Sequence, residues 1–224
     1  AVEAIMTKLT PSMLELMDRT TIQAVETWRP MGLDTSAEAL LIAQSDAPGN
    51  AGIAEADLLL EICEREGAIE VYRSEDPEQA EMLLGARRMA IPALETMGDW
   101  LLDDVAVPRS QLARAMTMIA ELSVKHDVMI ATFGHAGDGN LHPTIVIPRG
   151  DAAAAARAMD AFNEILAVAL ACGGTITGEH GVGTLKRDFL AQELDAVAID
   201  LHSRIKAAWD PENILNPGKA LPRW

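Results

Sequence analysis

Basic residues are scarce in this chain: Lys and Arg number 18 against 34 Asp and Glu, for a formal net charge of −16. A phosphate backbone is bound through Lys and Arg, so this balance argues against a nucleic-acid partner. It argues equally against docking on an anionic membrane face. Cysteine is rarer still, with two in 224 residues. Cys63 and Cys172 lie far apart, each in an apolar helical run. That is no disulfide framework, and reduced, buried thiols in a reducing compartment are the simpler reading. Long apolar runs are missing too. The longest, Ile165 to Cys172, is about half of the roughly 18 residues that a bilayer span requires. The first residues lack the basic start and apolar core of a secretory leader. The chain opens on Ala1 rather than Met, which suggests a processed or shortened polypeptide.

What is present is the balance of a soluble globular protein, 49% apolar and 23% charged, able to bury a sizeable core. Pro11 to Trp28 reads as a helix, with Met13, Leu14, Met17 and Ile22 at helical spacing and Pro30 as the stop. Ala39 to Ala43 suits a buried strand. Ala51 to Glu66 is helical and ends at Gly67, a left-handed cap. Ile69 to Tyr72 alternates as a half-buried strand should. A helix from Pro77 to Met97 is expected to kink or break at Pro92.

Val105 to Val107 is a brief strand, Arg109 to Lys125 a helix, and His126 to Thr132 and Leu141 to Ile147 two further strands. An alanine-rich helix, Asp151 to Leu170, ends at Gly173-Gly174, and the stretch after the second glycine turn reads as helical up to Pro211. Short strands joined by helices and by one tight connection predict an α+β fold, a mostly antiparallel sheet with helices on one face. No internal repeat or flexible linker appears, so residues 1–224 are taken as one unit.

Two glycine-rich segments hold three of the five histidines: Gly134-His-Ala-Gly-Asp-Gly-Asn-Leu-His142 and Gly178-Glu-His-Gly-Val-Gly183. Glycines permit positive φ and leave room beside a ligand. Two imidazoles and a carboxylate are a donor set for a divalent cation such as Zn²⁺ that keeps one position open. His135 and His142 flank a tight turn and can converge, and Glu179 would complete the set. Successive side chains in an extended segment face opposite ways, so His180 should point elsewhere and be free as a general base. A lone histidine at a strand end is ordinarily a satisfied polar residue, and Asp-Gly-Asn is a common turn. Only the pair of segments together points to a site. His126 and His202 read as surface or helix-face residues.

The strings GHAGDGNLH, GEHGVG and ILNPGK (Ile214 to Lys219) resemble the C-terminal, substrate-side cap domain of FAD-linked oxidases of the vanillyl-alcohol-oxidase type, in the branch acting on glycolate and D-lactate. LELMD (Leu14 to Asp18), GARRMA (Gly85 to Ala90) and DVAVPRSQL (Asp104 to Leu112) match the same family in order and spacing. The resemblance implies a ferredoxin-like cap fold and an FAD-dependent dehydrogenase of small 2-hydroxy acids. It implies His135, His142 and Glu179 as ligands of a divalent metal such as zinc, and His180 as catalytic base. Arg87 matches the arginine holding the substrate carboxylate, for which a bidentate guanidinium pair is the physical reason. Without the resemblance, Arg87 is as well read as a solvated helix-face charge. Asn140 matches a polar residue near substrate and flavin. Asn216 and Lys219 resemble C-terminal residues close to the flavin, with an ordinary Pro-Gly turn as the rival reading.

The implied reaction has the metal lowering the pKa of the 2-hydroxyl and His180 taking its proton as C2 passes a hydride to FAD. The implied partners are the small 2-hydroxy acid, an N-terminal FAD-binding domain that nothing in this sequence resembles, and an iron–sulfur electron-acceptor subunit. The implied place is the cytoplasm, peripheral to the inner membrane through partner subunits. Leu102 stands where members acting on dicarboxylates carry Lys, which favours a monocarboxylate, and Thr144 stands where many have Asn. Two other classes compete: a stand-alone metal-dependent hydrolase, weakened by the absence of HExxH, and a non-catalytic metal-binding module.

Overall fold

The computed structural model describes residues 1–74 and 76–221. Its centre is a six-stranded sheet in the order β2-β1-β5-β6-β3, with the short β4 also paired to β6. The strands are β1 (Met13–Asp18), β2 (Ala39–Gln44), β3 (Asp99–Leu102), β4 (Val105–Ala106), β5 (Met129–His135) and β6 (Asn140–Ile147). Every pairing is antiparallel, as the sequence predicts. The helices are α1 (Val2–Lys8), α2 (Arg19–Trp28), α3 (Asn50–Arg65), α4 (Pro77–Arg88), α5 (Ala90–Met97), α6 (Leu112–His126), α7 (Ala152–Ala171), α8 (Leu190–Glu193) and α9 (Ala196–Trp209).

Helices cover both faces of the sheet, not the one face expected. On one side Ile119, Leu122, Phe162, Ile165 and Leu166 of α6 and α7 pack on Leu14, Leu16, Ile130, Leu141 and Ile145. On the other, Ile22, Val25, Ala93 and Leu94 of α2 and α5 pack on Met17, Ala131, Phe133 and Val146. The central strands are therefore apolar on both sides, and this double burial misleads a reading by period. In β1, Leu14 and Leu16 serve one face while Met13, Glu15 and Met17 serve the other. The resulting continuous run resembles one edge of a helix. Met13–Asp18 is a strand, and the helix begins only at Arg19. Asp18 makes that switch. One carboxylate oxygen caps α2 by accepting from Thr21 N at 2.7 Å, and the other accepts from Thr132 N of β5 at 2.8 Å.

Other boundaries also differ. Residues 69–72 form no strand, and Ile69 and Tyr72 are exposed. The 77–97 helix breaks at Met89 rather than Pro92. Pro92 falls in the first turn of α5, where its missing N–H removes no helical bond. β3 has no counterpart in the sequence reading. β5 starts three residues later than predicted, after α6 runs on to His126 and Asp127 caps it in the left-handed region (φ 49°). The stretch after the second glycine turn is less helical than predicted, since residues 184–186 are turn and bend, 187–189 a 3-10 turn, and α8 and α9 are broken at 194–195. Cys172 is buried and Cys63 half-buried, both as free thiols, and burial pushes the Cys63 thiol up. Among the described residues no helix is long and apolar enough to cross a membrane.

Candidate active site

The first glycine segment is the β5–β6 hairpin. Gly139 takes φ +84°, and a Cβ there would stand 2.0 Å from Val107 O, so the turn admits only glycine. The ladder then fixes which side chains share a face. Ile42, Glu15, His135, Asn140 and Ala106 lie along one rung of β2, β1, β5, β6 and β4. Leu40, Met17, Phe133 and His142 form the next rung. His135 and His142 are diagonal neighbours on that face, their ring centroids 5.3 Å apart and their planes near perpendicular.

The second segment has little ladder of its own. Thr175 pairs with Ala106 in an isolated bridge, and Gly178 then passes so close to Asn140 that a Cβ would lie 2.4 Å from its Oδ1. From there Asp104 shapes the chain. Its carboxylate accepts from Glu179 N (3.0 Å), His180 N (2.8 Å) and Thr177 Oγ1 (3.0 Å). Burial pushes the Asp104 carboxyl up, but the His180 and Glu179 N–H groups and the Lys186 ammonium outweigh it, and it ends below its usual value. Lys186 is itself buried. Its Nζ meets Asp103 Oδ1 at 2.7 Å and donates to Asp104 O at 2.5 Å and Ile176 O at 2.7 Å. Burial drives the Asp103 carboxyl up to about 6, with Lys186 opposing.

Two consecutive N–H groups aimed at one carboxylate curl the Glu179–His180 backbone, so the alternation of an extended segment does not apply. Contrary to expectation, both side chains reach the same place. Glu179 Oε1 lies 3.6 Å from His135 Nε2, 3.4 Å from His142 Nε2 and 3.5 Å from His180 Nε2. The His180 ring stacks on His142 with centroids 5.1 Å apart. Burial, then the neighbouring His135, drives the His142 imidazole down to about 4, so it is neutral near pH 7.

The donor atoms of His135, His142 and Glu179 lie within 4.8 Å of one another. Tetrahedral zinc with bonds of about 2.0–2.1 Å puts its ligand atoms roughly 3.3 Å apart, close to the spacings from Glu179 Oε1. These residues fit a divalent cation. Asp104, His142 and His180 form a second group by the same measure. Asp104 is already engaged by two N–H groups and a hydroxyl, which makes it the poorer ligand.

Arg87 of α4 is no solvated charge. Its side chain is 16% exposed, Nε lies 2.9 Å from Glu15 Oε2, and the guanidinium sits 4.5 Å over the Phe133 ring. Asn140 is buried, and its Oδ1 has no hydrogen-bond partner among the described residues. Asn216 and Lys219 are exposed and bond to each other, Lys219 Nζ donating to Asn216 Oδ1 at 3.2 Å. Neither bonds to the histidines, although the tail returns beside the second turn through Ala220 N to Gly183 O (2.7 Å). His202 is on the surface, whereas His126 is tucked against Glu164 at 3.1 Å.

Sequence reasoning missed Glu15, Asp103, Asp104 and Lys186. The signal for Glu15 was a lone acid inside the apolar run Met13 to Met17, since acids are rarely buried unless paired.

The chain belongs to the family described as FAD linked oxidases, C-terminal domain, whose model matches residues 1–220. Among named relatives, the glycolate oxidase subunit GlcD of Bacillus subtilis is 40% identical over 222 residues, covering 99% of this chain and 47% of that protein. GlcD of Escherichia coli K12 is 32% identical over 95% of this chain and 43% of its own length. The D-lactate dehydrogenase of Archaeoglobus fulgidus is 30% identical over 96% of this chain and 46% of its own length. The chain thus spans just under half of these relatives. Solved structures share the fold at 16% identity. They include a 4-ethylphenol oxidase from Gulosibacter chungangensis (TM-score 0.60, 94% of this chain and 48% of that one) and p-cresol methylhydroxylase (TM-score 0.61, 93% and 46%).

Proposed function

We propose that this chain is the substrate-side half of an FAD-dependent dehydrogenase of small 2-hydroxy acids, glycolate or D-lactate in type. The observation that carries the reading is the meeting of three imidazole Nε2 atoms around one carboxylate oxygen at 3.4–3.6 Å. His135, His142 and Glu179 would hold a divalent cation, with zinc suited to two imidazoles and a carboxylate. A bound cation would supply Lewis acidity toward the 2-hydroxyl, and FAD would supply the two-electron oxidant.

The chain's own residues do the rest. His180, half exposed beside the ligand set, takes the hydroxyl proton on Nε2. Arg87 receives the substrate carboxylate, and Asn140 offers its unpartnered amide oxygen near the reacting centre. Leu102 faces Thr144 in register, on the same sheet face as His142. An uncharged side chain there supports a monocarboxylate over a dicarboxylate.

FAD would be held by a second half of the polypeptide, with Asn216 and Lys219 reaching toward it from the tail. Val197, Leu201, Ile205 and Trp209 recur every fourth residue along α9, and all are exposed. That apolar stripe supports a large partner surface on this side. Two relatives are named as glycolate oxidase subunits, which supports a multi-chain enzyme. An iron–sulfur electron-acceptor subunit is the partner expected, holding the cytoplasmic protein near the inner membrane.

The test uses the full-length protein. Flavin titration should show bound FAD, and glycolate or D-lactate should reduce a dye acceptor. His180→Ala should abolish turnover with metal content intact, and His135→Ala should empty the metal site. Loss of metal with His180→Ala, or its retention with His135→Ala, would mean that the roles are misassigned.

A further inference from the structure

We propose that Glu15 is a positioning residue: one buried carboxylate that fixes the tautomer of His135 through one oxygen and the aim of Arg87 through the other. The proposal rests on the reading of His135 as a cation ligand. Glu15 and His135 stand opposite each other in register across β1 and β5, although 120 residues separate them in sequence. Glu15 Oε1 lies 2.6 Å from His135 Nδ1, and Oε2 lies 2.9 Å from Arg87 Nε. The Glu15 side chain is 10% exposed.

A neutral imidazole carries one N–H. A carboxylate can only accept, so Glu15 holds that proton on Nδ1 and leaves the Nε2 lone pair facing Glu179. The same arrangement raises the basicity of the ligand nitrogen and stops the ring from turning. The second oxygen acts on Arg87. Arg87 Nε meets Glu15 as an ion pair without hydrogen-bond geometry, the guanidinium rests over Phe133, and the two Nη groups make no hydrogen bond among the described residues. Those are the two donors that fork a carboxylate. One side chain would therefore set the cation's ligand and the anion's clamp relative to each other.

The rival account makes Glu15 only a counter-ion for a half-buried arginine. The two accounts separate in an Arg87→Met background, where the counter-ion is no longer needed. We expect Glu15→Gln to lower Zn²⁺ affinity of the full-length protein by about 10- to 100-fold, read by competition dialysis against a chelator. The double variant Glu15→Gln/Arg87→Met removes both charges together, which guards against misfolding. It should lose the same factor relative to Arg87→Met alone. Unchanged Zn²⁺ affinity in both Gln variants, with His135→Ala defective, overturns the proposal and leaves the ligand reading standing. A loss on Glu15→Gln that vanishes in the Arg87→Met background establishes the counter-ion account and overturns it as well. Wild-type protein that takes up no Zn²⁺, or His135→Ala that takes it up normally, overturns the ligand reading and the proposal with it.

Discussion

The first glycine turn lies between two fully paired strands, whereas the second is joined to the sheet by a single bridge at Thr175. His135 and His142 inherit their positions from strand register, which a one-residue slip would turn to the opposite face. Glu179 and His180 inherit theirs from two neighbouring aspartates and a buried lysine. Backbone ladders and buried polar clamps reach the same precision by different means, and they should fail differently. Ladder bonds are many and individually modest, while the clamp concentrates its effect in a few groups that are expensive to leave unpaired.

The largest effect should follow Lys186→Met. The substitution strands the Asp103 carboxylate, whose Oδ2 already lacks a partner among the described residues, and removes two backbone anchors of the second turn. Breaking one side of a buried pair costs about 3–5 kcal/mol, to be read from urea unfolding. Amide exchange should show residues 175–183 losing protection before β5 and β6. Destabilisation under about 1 kcal/mol, or equal loss of protection in the hairpin, would erase the distinction between the two halves.

A smaller effect probes where the halves touch. Gly178→Ala would place a methyl group 2.4 Å from Asn140 Oδ1 and 2.6 Å from its Cγ. Overpacking of this kind costs about 1–3 kcal/mol. Shortening the neighbour with Asn140→Ala should recover part of it, so the double variant should be more stable than the two separate losses predict. Strict additivity in thermal or urea unfolding would show that the two turns do not press on each other through this contact.

The same division explains what was legible. The hairpin half could be read from sequence because its glycines, histidines and flanking apolar strands are local to one another. So could α3 with its Gly67 end and α7, read as Asp151 to Leu170 and found one residue later at each end. The clamp could not. Asp104 is 75 residues from Glu179 and 82 from Lys186, and nothing local marks Asp103 or Asp104 as buried. The strand β1 was hidden for another reason: burial on both faces erased the alternation that identifies a strand. That error also concealed Glu15, because an acid on a presumed helix needs no partner. An extended backbone would aim His180 away from Glu179, but the Asp104 carboxylate bends the chain there.

The smallest effect is a pH dependence that isolates the clamp. Asp104 sits below its ordinary 3.8 in the fold because its N–H donors outweigh burial. A carboxyl depressed by folding stabilises the protein fully above its unfolded value, and that contribution is lost as pH falls through the folded value. Asp103, raised by burial, contributes with the opposite sign, losing stability as pH climbs toward its folded value. That contribution is present in wild type and in Asp104→Asn alike, so it largely cancels in their difference. The stability gap between the two proteins, from urea midpoints, should hold steady from about pH 6 to about pH 4 and narrow below that. A gap that stays constant or widens down to about pH 3 would mean that the Asp104 charge does not hold the second turn, and that its shape alone suffices.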